Sequence, residues 1–153
     1  MHEGSWTVDN SPNGVSGDPY VSVGQHQRKY VISSHCTSES DCQLAAVTYD
    51  SANGKKLGSI SFKWDGSTYR YRGPASWYSH EGGSSCQDSS GNVIANAYVT
   101  HEEVHVSPQT SSGGEAATMK GTKTISGDPT DAGTAAGCAP FQMSYVVNMA
   151  WNG

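Results

Sequence analysis

Residues 43–72 read QLAAVTYDSANGKKLGSISFKWDGSTYRYR. Two dipeptides in this stretch, Asn53-Gly54 and Asp65-Gly66, are favoured in two-residue hairpin turns. Both turns place the same residues of the shared strand inward, and a one-residue slip would expose that apolar set. The stretch therefore predicts a three-stranded meander. The predicted pairs are Trp64/Ser67, Phe62/Tyr69 and Ile60/Tyr71 across one turn, and Val47/Ile60, Ala45/Phe62 and Gln43/Trp64 across the other.

The C-terminal segment 141–151 alternates large apolar with mostly polar or small residues, which is typical of a strand with one buried face. The segment 126–138 is rich in Gly, Ala, Thr and Asp and predicts a long loop. Eight or nine strands separated by turn clusters favour one all-β domain over 1–153, an antiparallel sandwich or an up-and-down barrel. The remaining predicted strands are Tyr20–Gly24, His26–Ser33, Asn92–Val106 and Ala116–Ile125.

Composition excludes several classes of partner. The 153 residues carry 9 Lys and Arg against 14 Asp and Glu, a net charge of −5, so there is no basic surface for nucleic acid or anionic lipid. No apolar run approaches the roughly 20 residues that span a bilayer, so we expect no membrane insertion by this segment. Valine outnumbers leucine twelve to two, which favours pleated sheets over helices.

The four cysteines predict two disulfides, Cys36–Cys42 and Cys86–Cys138, out of three possible pairings. The first pair closes a short loop and the second ties the middle of the chain to the last strand. A four-thiolate zinc site is the competing interpretation, but structural zinc usually takes cysteines two to four residues apart. A third interpretation is that all four cysteines are free thiols in a reducing compartment. Disulfides imply an oxidising compartment, so we expect a leader or anchor that this stretch lacks.

One segment matches a metallopeptidase pattern literally. His101-Glu102-Glu103-Val104-His105 fits H-E-x-x-H, in which two histidines one helical turn apart hold zinc and the glutamate activates water. The preceding residues are β-branched and alternating, however, and predict a continuing strand. Histidines four apart on a strand lie about 13 Å from each other and cannot share one ion. We therefore expect His101 and His105 on an exposed strand face, with no metal and no cofactor.

Two aromatic residues are the best binding candidates. Trp77 and Tyr78 follow Gly73-Pro74, where a loop could present flat rings to a glycan or a partner protein. Trp64, Tyr69 and Tyr71 are instead predicted to pack in the core. The sequence holds no G-x-S-x-G nucleophile motif, no P-loop and no carboxylate pair typical of a glycosidase, so no catalytic residue is predicted.

The order of several short motifs resembles small secreted β domains of actinobacteria. These are Gly4-Ser5-Trp6, the close Cys36/Cys42 pair, the hairpin 64–69 (WDGSTY) and the wide Cys86/Cys138 pair. Such domains occur in lipoproteins and at the extracytoplasmic ends of membrane Ser/Thr kinases, although no kinase, anchor or lipobox cysteine is present here. The G-x-W opening also resembles that of lipocalin-like barrels.

The resemblance implies a disulfide-bonded domain of the cell envelope or exterior that senses or binds and does not catalyse. We therefore expect an extracytoplasmic binding or sensor module whose ligand is an unknown protein or glycan. A carbohydrate-binding or inhibitor-like secreted domain is the first alternative. A zinc-dependent hydrolase built on the H-E-x-x-H segment is the second.

Overall fold

The computed structural model describes residues 1–17, 24–38, 41–75 and 86–153. The strands within these ranges are β1 Gly4–Ser16, β2 His26–Ser38, β3 Asp41–Asp50, β4 Lys56–Trp64, β5 Tyr69–Pro74, β6 Cys86–Gln87, β7 Val93–Ile94, β8 Tyr98–Ser112, β9 Glu115–Pro129 and β10 Phe141–Trp151. The predicted all-β fold is confirmed: eight of these strands form a closed antiparallel barrel in the order β1-β10-β9-β8-β5-β4-β3-β2. Each barrel strand pairs with its neighbours in sequence, apart from an excursion between β5 and β8, so the barrel is of the up-and-down type.

The first and last strands close the barrel. β1 and β10 pair from Trp6↔Trp151 to Ser16↔Gln142, with one bulge between Pro12 and Gly14. The predicted C-terminal strand is confirmed with the bounds that its alternation indicated, and its odd-numbered residues from 141 to 149 are all buried. The predicted strand Tyr20–Gly24 lies largely outside the described residues.

The two predicted hairpin turns are longer than two residues. Trp64 pairs with Tyr69 across a four-residue turn, because the Asp65 carboxylate accepts hydrogen bonds from the backbone N–H groups of Ser67 and Thr68 at 2.9 and 2.7 Å. These bonds hold the pKa of Asp65 well below its usual range. The predicted register is thus wrong by two positions, a shift that leaves every side chain on its predicted face.

The register of the other hairpin is wrong by one position and therefore reverses the faces of β3. Leu44 pairs with Phe62, and Leu44, Ala46 and Thr48 are buried in place of the expected Gln43, Ala45 and Val47. The β3–β4 turn has four residues, 51–54, ending at Gly54 with φ +70°, and a register shift follows between Thr48 and Tyr49. The two extra turn residues and the register shift in β3 together move the pairing by one position, which the Asn53-Gly54 dipeptide did not indicate.

The predicted long loop at 126–138 is largely ordered secondary structure. Strand β9 continues to Pro129, and helix α1 spans Asp131–Ala135. Thr130 caps the helix, its hydroxyl accepting from the Gly133 N–H at 3.2 Å. Both predicted disulfides form, Cys36–Cys42 across the β2–β3 hairpin and Cys86–Cys138 between β6 and the residues after α1. In the described part of the chain, no helix is both long and apolar enough to span a bilayer.

The barrel interior is filled by two apolar clusters. One is centred on Trp6, Leu44, Phe62, Val106 and Met149, and Tyr69 and Tyr71 pack against it as predicted. The other surrounds the Cys86–Cys138 disulfide and includes Tyr98, Ile125, Phe141, Met143 and Tyr145. Trp64 is only half-buried and lies against Tyr69, with 4.6 Å between ring centroids.

A test of the barrel wall uses two glycines. A methyl group on Gly121 of β9 would meet the His105 carbonyl oxygen of β8, whereas one on Gly58 of β4 would meet no atom within 4 Å. We expect Gly121→Ala to lower the free energy of unfolding by about 1–3 kcal/mol through overpacking, and Gly58→Ala to change it by less than about 0.5 kcal/mol. Urea denaturation of both variants measures the difference, and equal effects would contradict the assigned β8–β9 packing.

Candidate functional site

A layer of polar side chains crosses the barrel interior between the two apolar clusters. On β8 it comprises Thr100 and Glu102, and on β9 it comprises Lys123. We call this set the polar layer. Its members are all at most 8 % exposed: Asn10, Arg28, Thr48, Thr100, Glu102 and Lys123.

Each charged member of the layer takes part in an ion pair. Lys123 Nζ lies 3.8 Å from Glu102 Oε1 and 3.3 Å from His26 Nε2. Arg28 Nη1 lies 3.6 Å from Asp50 Oδ2 at the end of β3. His26 Nδ1 donates to the Gly24 carbonyl oxygen at 3.1 Å, so Nε2 is the nitrogen that accepts from the lysine. Charges of opposite sign are thus paired, as buried charges require.

Burial and neighbouring cations shift the titrations of these groups. Burial, followed by repulsion from the Lys123 ammonium, lowers the pKa of His26 from 6.5 to about 4. Burial likewise lowers the pKa of Lys123, and the Glu102 carboxylate opposes that change. Burial raises the pKa values of Tyr30, Tyr71 and Tyr145 around the layer. Because its pKa is about 4, the His26 imidazole is neutral at physiological pH.

A small cavity reaches the polar layer through the barrel wall. Strands β4 and β5 pair only through Lys63↔Arg70 and Trp64↔Tyr69, and the cavity lies along the other halves of the two strands. Its volume is about 30 Å³, room for a water molecule or two, whereas ligand pockets have roughly 300–1,000 Å³. Its lining includes Arg28, Tyr30, Tyr71, Glu102 and Lys123.

The barrel exterior carries a much larger concavity of about 530 Å³, which we call the outer groove. Its floor is the outward face of β1 and β2, and the β3–β4 turn forms one wall. Val31, 38 % exposed, is the apolar part of the floor, and Tyr49 contributes the aromatic ring. The lining residues are Ser5, Thr7, Gln27, Lys29, Val31, Tyr49, Asp50, Ser51, Gly54 and Asn152.

The segment matching H-E-x-x-H lies within β8, so the strand prediction is confirmed. His101 and Glu103 are exposed on the outer face with the partly exposed His105, whereas Glu102 points inward into the polar layer. The glutamate of the motif and its two histidines therefore lie on opposite sides of the wall. His105 Nε2 pairs with Glu103 instead. No group of three or more potential metal ligands occurs among the described residues.

The predicted binding residues Trp77 and Tyr78 lie outside the described residues. The polar layer and the outer groove were not predicted. A signal for the layer was present, since Arg28 shares the parity of Tyr30 and Ile32, Glu102 that of Val104, and Lys123 that of Ile125. No comparable signal existed for the groove, because its residues come from four separated parts of the sequence.

Comparisons with family models, with curated proteins and with solved structures found no match to this chain. The resemblance to secreted actinobacterial domains stays a prediction.

The His26 environment predicts a pH dependence of stability. Between pH 6.5 and about 4 the unfolded chain binds a proton at His26 that the folded chain does not, so stability is complete above pH 6.5 and is lost as the pH falls. We expect a loss of about 1–2 kcal/mol after allowance for partial solvent access. Denaturation at pH 7 and pH 4.5 measures it. His26→Gln should reduce the loss and His35→Gln, at an exposed position, should not; equal losses in all three proteins would refute the assignment.

The buried ion pair predicts non-additive mutations. Lys123→Met leaves the Glu102 carboxylate without its lysine partner in the interior, so we expect the free energy of unfolding to fall by about 3–5 kcal/mol. Adding Glu102→Gln should recover a large part of that loss, because the buried negative charge is then removed as well. Lys120→Met, at an exposed position of the same strand, is the control. Additive losses in the double variant would show that the pair is not coupled.

Proposed function

We propose that this protein is an extracytoplasmic, non-catalytic binding or sensor module that engages its ligand through the outer groove. The observation that carries the proposal is the contrast between a filled interior and an open exterior concavity of about 530 Å³. A barrel that carries a small molecule inside needs an interior volume of that order. The cavity at the polar layer has about 30 Å³.

The extracytoplasmic assignment is supported by the two disulfides. Both cysteine pairs are bridged, and disulfides persist in oxidising environments outside the cytosol. Cys36–Cys42 joins the two strands of the β2–β3 hairpin, and Cys86–Cys138 joins β6 to the residues after α1.

The absence of catalysis is proposed from the chemistry of the outer groove and of the small cavity at the polar layer. The paired charges of the polar layer face a space that holds no more than a water or two. The outer groove contains Lys29 and Asp50 as its charged residues, together with hydroxyl, amide and apolar groups. Such a lining can hold a ligand by hydrogen bonds and packing, and its one carboxylate, Asp50, is paired with Arg28 instead of with a nucleophile.

The test is ligand mapping by ¹H–¹⁵N NMR with a mixed library of oligosaccharides and peptides. We expect ligand-induced shifts at Thr7, Lys29 and Val31, and their loss in Val31→Trp, whose indole fills the groove floor. Val99→Trp, at an exposed position on β8, is the matched control. Three outcomes would overturn the proposal. These are shifts confined to Glu102 and Lys123, turnover of any library member, and the absence of shifts in the groove.

A further inference from the structure

The polar groups on one side of the outer groove hold each other in fixed orientations. Asn152 Oδ1 accepts from the Thr7 hydroxyl at 3.0 Å, and Asn152 Nδ2 donates to Ser5 Oγ at 3.2 Å. The backbone N–H of Asn152 also donates to the Ser5 carbonyl oxygen at 2.9 Å. A carboxamide has two N–H donors and two acceptor lone pairs. The bond from Thr7 uses one acceptor lone pair, and the bond to Ser5 Oγ uses one N–H donor. One N–H and one lone pair of the Asn152 side chain therefore remain for a ligand.

A second carboxamide is fixed in the same way. Gln27 Nε2 donates to Asp9 Oδ1 at 2.9 Å, which orients the amide on the outer face of β2. Side chains that are already held in place lose less conformational entropy when a ligand binds. The groove therefore presents two oriented amides, each able both to donate and to accept.

The apolar part of the groove is small and contains one aromatic ring. Tyr49 pairs with Lys29 across β2 and β3, and Val31 follows two residues along β2. The lining contains two charged residues of opposite sign, Lys29 and Asp50, and Asp50 is also paired with Arg28, so the groove has no cluster of like charges to attract an ionic ligand. A strongly acidic or basic peptide is therefore a poor match for it.

We infer that the outer groove binds a short neutral oligosaccharide. Each sugar hydroxyl is at once a donor and an acceptor, which matches the paired amide groups of Asn152 and Gln27. The apolar face of a pyranose ring matches the single ring of Tyr49. The volume of about 530 Å³ falls within the range of small-ligand sites. This inference rests on the proposed function and names the ligand class of the same site.

Calorimetric titration tests the inference with four neutral probes, maltotetraose, cellotetraose, chitotetraose and mannotetraose, and with the charged tetragalacturonate. We expect at least one neutral probe to bind and tetragalacturonate to bind at least tenfold more weakly. Tyr49→Ala and Asn152→Ala should each weaken the neutral complex at least tenfold. Gln142→Ala and Val99→Ala, exposed positions on the outer faces of β10 and β8, should leave affinity unchanged.

The outcomes separate this inference from the proposed function. If only peptides or the charged probe cause NMR shifts in the groove, the ligand class is wrong and the binding module stands. If a neutral probe binds but Tyr49→Ala and Asn152→Ala bind it as well as the control variants do, the inferred site is wrong. If none of the neutral probes binds, the inference fails, and the mapping experiment decides the proposed function by itself.

Discussion

Hydrogen bonding between β1 and β10 is the interaction on which the rest of the structure depends. It joins the two ends of the described chain along ten pairs and turns a meander with two open edges into a closed wall. Closure removes the unpaired backbone groups that an edge strand would expose. It also encloses a space that side chains must fill, and Trp6, Phe62, Met119, Met143 and Met149 do so.

The filled interior accounts for the position of the polar layer. One apolar cluster is centred on Trp6 and Phe62, and the other surrounds the Cys86–Cys138 disulfide. The charged residues Arg28, Glu102 and Lys123 lie between the two clusters. Burying these charges costs free energy that their mutual attraction only partly returns, so the layer is not explained by stability alone. The β4–β5 separation lies directly over it and gives the interior its contact with solvent. The outer groove, on the other side of the wall, has the volume of a small-ligand site.

The H-E-x-x-H segment shows how tertiary structure decides the meaning of a motif. In a helix its two histidines would share a face with zinc between them. In β8 the alternation of the strand sends Glu102 inward and leaves His101 on the outer face. The alternating residues before the motif predicted that outcome. The role of Glu102 as the partner of Lys123 could not be predicted, because the two residues are brought together by β8–β9 pairing.

The sequence by itself determined the β class, the antiparallel meander and the bounds of β10, because alternation and turn dipeptides are local properties of the chain. Among three possible cysteine pairings it favoured the one that the structure contains. It did not determine the register of β3, since the hairpin turn at Asn53-Gly54 gains two residues and a register shift follows within the strand pair. Only the tertiary structure decided between barrel and sandwich, through the pairing of β1 with β10. It alone assembled the outer groove, because Ser5, Lys29, Tyr49 and Asn152 meet only after the sheet has closed.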